Sequence, residues 1–196
     1  MTGRDPMEYG WWLASRASGL VALALITASV LVGLAMAGRV SRRPGLARVL
    51  VAVHEHAALA GLIAIAVHGL TLLGDRWLAP GPIGIAVPFA MEYKPLWTGL
   101  GITGGYLAAA LGLSFYARKR IGTKRWRRLH KLTILVYLLS VVHTLGAGTD
   151  AGELWLQVPL VMSGAAALFL FVMRILPRET AQAPPASAAA PAGRPG

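Results

Sequence analysis

Long apolar runs, broken by short polar and basic connections, set the pattern of this chain. Crossing the hydrocarbon core takes roughly 20 mostly apolar residues, since a helix rises about 1.5 Å per residue. Five stretches meet that length: Ala17–Ala37, Val49–Leu73, Leu96–Tyr116, Leu129–Gly146 and Leu154–Ile175. The fourth is the shortest and starts inside a basic segment. Each is expected to be a helix, because lipid offers no partner for open backbone groups. The expected fold is therefore an all-α integral membrane protein, a bundle of five transmembrane helices over residues 1–176. The connection Asp75–Pro95 carries Pro80, Pro82, Pro88 and Pro95 and should form a folded loop over one end, with an interfacial helical turn. Residues 177–196, rich in Ala and Pro, are expected to be a disordered tail. No internal repeat at solenoid or transporter periods is evident.

Charge gives the orientation. Of nineteen Lys and Arg, fifteen fall on one side: Arg39, Arg42, Arg43 and Arg48, the eight between Arg118 and Lys131, then Arg174, Arg178 and Arg194. Arg4, Arg16, Arg76 and Lys94 fall on the other. The positive-inside rule then places the N-terminus outside and the C-terminus in the cytoplasm, in a multi-pass protein of the inner or plasma membrane. All six tryptophans lie near span ends, as interfacial belts require. A formal charge of +11 could suggest nucleic acid, but its division into short clusters between apolar runs excludes that reading. With no cysteine, disulfides, iron–sulfur clusters and c-type haem attachment are excluded. The first run lacks a basic leader and a cleavage signature and reads as a retained helix.

All five histidines lie in two of the five spans: His54, His56 and His68 in the second, His130 and His143 in the fourth. Ionisable residues at membrane depth are costly and by default mark function. The plainer alternative is a neutral histidine hydrogen-bonded to a neighbouring helix. His54 and His68 are 14 residues apart, close to four turns and about 21 Å along one face. His130 and His143 are 13 apart, roughly 19–20 Å. Antiparallel spans could thus pair His54 with His130 and His68 with His143, and a bis-histidine haem takes one imidazole from each side. Thirteen residues, however, leave two side chains about 140° apart on an ideal helix, so a local distortion or side-chain adjustment must intervene. His56 could substitute for His54. The short His54-Glu55-His56 motif diverges by about 200° on a helix and makes a poor chelate for zinc or copper.

At these residues the chain resembles the ferric-reductase-like transmembrane domain family, which includes the membrane parts of ferric reductases and NADPH oxidases and the haem subunit of the bacterial methionine-sulfoxide reductase. The resemblance covers roughly residues 10–175. It is carried by Arg16-Ala-Ser-Gly-Leu, the His54 to His68 spacing, Val87-Pro-Phe-Ala with Tyr93-Lys-Pro-Leu-Trp97, Arg125-Trp-Arg-Arg-Leu-His130 with His143 thirteen residues on, and Gly146-Ala-Gly-Thr-Asp150. It implies a b-type haem bundle passing electrons outward, with two haems or one, and with His54, His68, His130 and His143 as iron ligands. His56 departs from the family pattern. Arg16, Arg127 and Arg128 are candidate partners for haem propionates, and interfacial snorkelling explains them equally well.

Members of the family that the chain resembles often carry a flavin and nicotinamide domain after the bundle, and residues 1–196 show no motif for one. The one G-x-G-x-x-G match, Gly99-Leu-Gly101-Ile-Thr-Gly104, lies within an apolar span and follows no strand; its small residues suit close helix packing. The expected donor is a redox partner protein, a flavoprotein, a quinol, or a bound flavin without a sequence signature. The chain would be an electron-transfer subunit. A single-haem subunit serving a periplasmic reductase is the nearer alternative, and a non-redox membrane scaffold or transporter with relay histidines the farther one. Deleting residues 177–196 should leave membrane insertion and helical content unchanged; circular dichroism of the purified truncated protein checks this.

Overall fold

The computed structural model describes residues 6–38 and 44–176. Arg4, Arg39, Arg42, Arg43 and the expected tail at 177–196 lie outside the described residues. Among the described residues every regular element is helical: α1 (Pro6–Ala37), α2 (Pro44–Thr71), α3 (Gly81–Ala86), α4 (Pro95–Leu113), α5 (Arg118–Ile121), α6 (Thr123–His130), α7 (Thr133–Ala147) and α8 (Leu154–Ile175). A 3-10 turn at Leu72–Gly74 extends α2. Five stretches are long and apolar enough to cross a membrane: Tyr9–Ala37, Gly45–Gly74, Pro95–Leu113, Thr123–Ala147 and Leu154–Ile175. The chain is an all-helical, multi-pass membrane protein.

The first and second spans begin earlier than expected, at Tyr9 and Gly45 in place of Ala17 and Val49, and two further boundaries differ. The third span closes at Leu113, not Tyr116, because the backbone tightens into successive i→i−3 bonds from Phe115 to Arg118. The fourth reaches back to Thr123 and is broken at Lys131 and Leu132. There the N–H groups of Lys131, Leu132 and Leu135 donate to the carbonyls of Arg128, Leu129 and Leu132, at 3.3, 2.9 and 2.9 Å. A 3-10 residue turns about 120° where an α residue turns about 100°. Each therefore adds rotation in the direction that returns His130 and His143 toward one face. At about 20° each, the three tightened bonds recover roughly 60° of the 140° offset, so the break supplies part of the adjustment that the 13-residue spacing called for.

Close backbone packing runs chiefly between α1 and α2 and between α4 and α7, with α1 also touching α7 and α8. Ile26, Val30 and Leu34 of α1 meet Ala108 and Leu111 of α4, Val136 and Tyr137 of α7 and Ala167 of α8 in one apolar cluster. The Tyr137 hydroxyl lies 3.0 Å from Ser163 Oγ and ties α7 to α8. α2 and α7 are not packed together along their lengths. Side chains, not backbone contact, bridge that gap.

The connection from Asp75 to Lys94 folds over one end, with α3 inside it. Asp75 is 4% exposed, and its Oδ1 accepts from the backbone N–H groups of Trp77 and Leu78 at 2.9 and 3.1 Å. Three rings at this end lie on glycines: Trp11 on Gly74, Phe89 on Gly99 and Trp97 on Gly146, each so close that an added Cβ would fall among the ring atoms. Phe89 and Lys94 adopt left-handed backbone (φ 66° and 43°), which non-glycine residues hold only when their surroundings fix them. The Phe89 ring on Gly99 and the Lys94 ammonium donating to Gly146 O at 2.9 Å supply that fixing. Gly146→Val should expel the Trp97 ring and destabilise the bundle by about 1–3 kcal/mol, the usual scale of overpacking. Gly45→Ala, with open space at its Cβ, should change little. Thermal unfolding in detergent distinguishes the two.

Candidate functional site

The four expected histidines form two pairs. His54 and His130 have ring centroids 5.9 Å apart, and His68 and His143 6.2 Å apart, with interplanar angles of 87° and 71°. His56 joins neither pair. It is exposed, and its Nδ1 lies 2.7 Å from the carbonyl of Ala52 on its own helix.

Three of the four imidazoles are held in the same way. His68 Nδ1 lies 2.8 Å from Ser15 O, His54 Nδ1 2.8 Å from Ser29 O, and His143 Nδ1 2.9 Å from Trp97 O. A backbone carbonyl can only accept, so in each ring Nδ1 carries the hydrogen and Nε2 keeps the lone pair. Four residues after each carbonyl comes a glycine: Gly19, Gly33 and Gly101. A helical carbonyl points toward residue i+4, so a ring that reaches it must lie over that residue. A Cβ at Gly19 would stand 3.0 Å from His68 Nδ1, and one at Gly33 would stand 3.2 Å from His54 Cε1. At Gly101 it would collide with His143 Nδ1.

The Ser15 and Ser29 hydroxyls complete the attachment by donating back to His68 O and His54 O at 3.4 and 3.2 Å. Ser15-x-x-x-Gly19 and Ser29-x-x-x-Gly33 are themselves 14 residues apart, the spacing of His54 and His68 on the antiparallel helix. That repeat is a second 14-residue period in the sequence, one that the histidine spacing alone does not bring out.

His130 is the exception. Its Nδ1 is buried with no hydrogen-bond partner. Its ring stacks on Trp126 at 4.9 Å and 26°, and the Trp126 Nε1–H donates to Ser114 Oγ at 3.1 Å. Fourteen residues beyond Trp97 and Gly101 stand Leu111 and Phe115, the latter past the end of α4, so the carbonyl-and-glycine cradle has no fourth copy.

A cavity of about 840 Å³ lies against the His68–His143 pair; neither His54 nor His130 lines it. Its volume falls in the roughly 300–1,000 Å³ range of cofactor pockets. Leu23, Ile26, Ile65 and Ala66 give it apolar walls, and Met91 and Tyr93 of the connection reach it from one end. Arg16 also lines it, forked onto Asp150: Nε to Oδ2 at 2.7 Å and Nη2 to Oδ1 at 2.5 Å. Arg127 and Arg128 stand exposed on α6.

The donor set fits a haem. Metal–imidazole bonds of about 2.0–2.1 Å on both sides of one iron, plus about 1.1 Å from each nitrogen to its ring centre, separate the centroids by roughly 6.3 Å. The observed 6.2 and 5.9 Å are close to that value. Among the described residues no three His, Cys, Asp or Glu cluster as metal ligands, so the remaining coordination positions would have to come from a macrocycle. Comparison of the chain with known protein families, with curated proteins and with solved structures finds no match.

Gly101→Val should drive the His143 ring off the Trp97 carbonyl and cost about 1–3 kcal/mol by overpacking. Gly105→Ala, whose Cβ would sit 3.4 Å from Ile65, should be nearly neutral. Denaturant unfolding of both variants checks the difference, and nitrogen NMR of histidine-labelled protein should show the His143 Nδ1–H signal lost only in the first.

Proposed function

We propose that the chain is a b-type haem membrane protein that carries electrons across the bilayer, as ferric-reductase-like domains do, from a cytoplasmic-side donor to an external acceptor. The observation that carries this reading is the His68–His143 pair. Both rings have Nδ1–H committed to a backbone carbonyl, so each keeps its lone pair on Nε2, and the ring centroids stand 6.2 Å apart. Two lone pairs brought together in a low-dielectric interior are unfavourable unless an electron-pair acceptor lies between them. Iron is such an acceptor, and the cavity beside the pair gives room for its macrocycle. Haem, when bound, supplies a one-electron couple at each site.

The protein's own residues set the ligation. Ser15, Ser29 and Trp97 fix ring orientation and tautomer through their carbonyls, and a hydrogen-bonded Nδ1–H makes Nε2 a stronger donor. Positive-inside counting places the His54–His130 pair toward the cytoplasm of an inner or plasma membrane and the His68–His143 pair toward the outside. Exposed Lys124, Arg125, Arg127 and Arg128 on α6 then face a soluble donor, flavoprotein or quinol headgroup. Arg16 already shares its fork with Asp150, and the neutral pair is a weaker propionate partner than Arg127 or Arg128.

The test is a reduced-minus-oxidised optical spectrum with haem quantification after haem-replete expression. A b-type spectrum is expected, and its absence ends the proposal in favour of a non-redox scaffold or relay. His68→Ala or His143→Ala should each remove one haem while leaving insertion intact; unchanged haem content refutes the pairing.

A further inference from the structure

The two histidine pairs are built differently, and the difference predicts how they behave when empty. In the His68–His143 pair both tautomers are fixed by carbonyls 2.8 and 2.9 Å away, so neither ring can offer an N–H to the other. In the His54–His130 pair only His54 is fixed, by Ser29 O at 2.8 Å. His130 Nδ1 is buried and meets no acceptor. Nδ1 lacks a partner in either tautomer, but a hydrogen placed there has no acceptor at all, whereas one on Nε2 has the His54 lone pair within a side-chain adjustment. The favoured tautomer of His130 therefore carries its hydrogen on Nε2. The His54 lone pair can accept that hydrogen.

We propose that His68–His143 is the constitutive cofactor site and that His54–His130 is a conditional one, closed when empty by a direct hydrogen bond from His130 Nε2–H to His54 Nε2. This rests on the haem reading above and adds to it an order of filling. Three features agree. The second pair already stands closer, 5.9 against 6.2 Å between centroids, and a direct N–H···N bond asks for roughly 5.2 Å, a short side-chain adjustment away. The 840 Å³ cavity lies at the first pair and is lined by neither member of the second. His130 rests face-on against Trp126 instead of being pinned at an edge nitrogen, so the ring has no carbonyl to surrender when its tautomer changes. Filling the second site requires moving the His130 hydrogen from Nε2 to the unpartnered Nδ1. Filling the first requires no tautomer change.

Two measurements on the full chain decide the matter. Nitrogen NMR of the histidine-labelled, haem-free protein should show Nδ1–H for His54, His68 and His143 and Nε2–H for His130. An Nδ1–H signal for His130 overturns the proposal whatever haem does. Titration with haem b should then show a first equivalent bound at least about 10-fold more tightly than the second, the scale of one unsatisfied buried donor. His143→Ala should abolish the tight phase, and His130→Ala and His130→Phe should abolish only the weak one. Equal affinities, or loss of the tight phase in both His130 variants, sink the order of filling while leaving the haem reading in place. No haem bound by the unaltered protein sinks the haem reading itself, and the conditional site with it.

Discussion

An imidazole N–H inside a bilayer must find an acceptor, and in this bundle the acceptors are carbonyls of neighbouring helices that already serve their own ladders. A carbonyl oxygen has two lone pairs, so it can take a second hydrogen without breaking its helix. What prevents this in an ordinary helix is the side chain at i+4, and here glycine is placed there three times, at Gly19, Gly33 and Gly101. An unmet donor at such a depth costs about 1–3 kcal/mol, so each cradle also fixes the register of the helices it joins. Ser15 with His68 and Ser29 with His54 clamp α1 to α2 at two depths, and Trp97 with His143 clamps α4 to α7. α2 and α7 are not packed along their lengths, and the histidines they carry, His54 and His68 on α2 and His143 on α7, are anchored to α1 and α4.

Trp97 links this arrangement to the connecting segment at the same end. Its carbonyl holds His143, while its ring lies on Gly146, one turn further along α7. Lys94, three residues earlier, donates to Gly146 O, and Tyr93 and Met91 line the cavity. The fold of the connection and the aim of His143 are thus set by the same few residues. A substitution at Gly146 or Phe89 acts on the histidine pair without touching it.

Much of this was legible in the sequence, and the failures have physical causes. The spans follow from run length, and the histidine pairs follow from spacing, as does the preference for His54 over His56. The 13-residue spacing even signalled a break in the fourth span, although its position depended on backbone tightening around Lys131 that no apolar pattern encodes. Gly99, Gly101 and Gly104 read as small residues for close packing. Only Gly104, against Leu139 of α7, is that; Gly99 receives the Phe89 ring and Gly101 the His143 ring. The left-handed backbone at Ala79, Phe89 and Lys94 was hidden, since none is a residue that favours it. Arg16 stood out in the sequence as a candidate propionate partner at the end of the first span, but its pairing with Asp150 joins residues 134 positions apart.

The inequality of the two pairs follows from helix length. α4 spans 19 residues and ends at Leu113, two residues short of the position at which a glycine would complete a fourth cradle. Had the helix continued, Phe115 would occupy the glycine position of a fourth cradle; instead the chain turns, and Phe115 packs against Trp126 at 5.9 Å. The aromatic stack that replaces the cradle supports the His130 ring by its face, where contact is tolerant of rotation and says nothing about which nitrogen holds the hydrogen. A short helix thus leaves one of the four imidazoles without a carbonyl to set its tautomer, beside the basic helix α6.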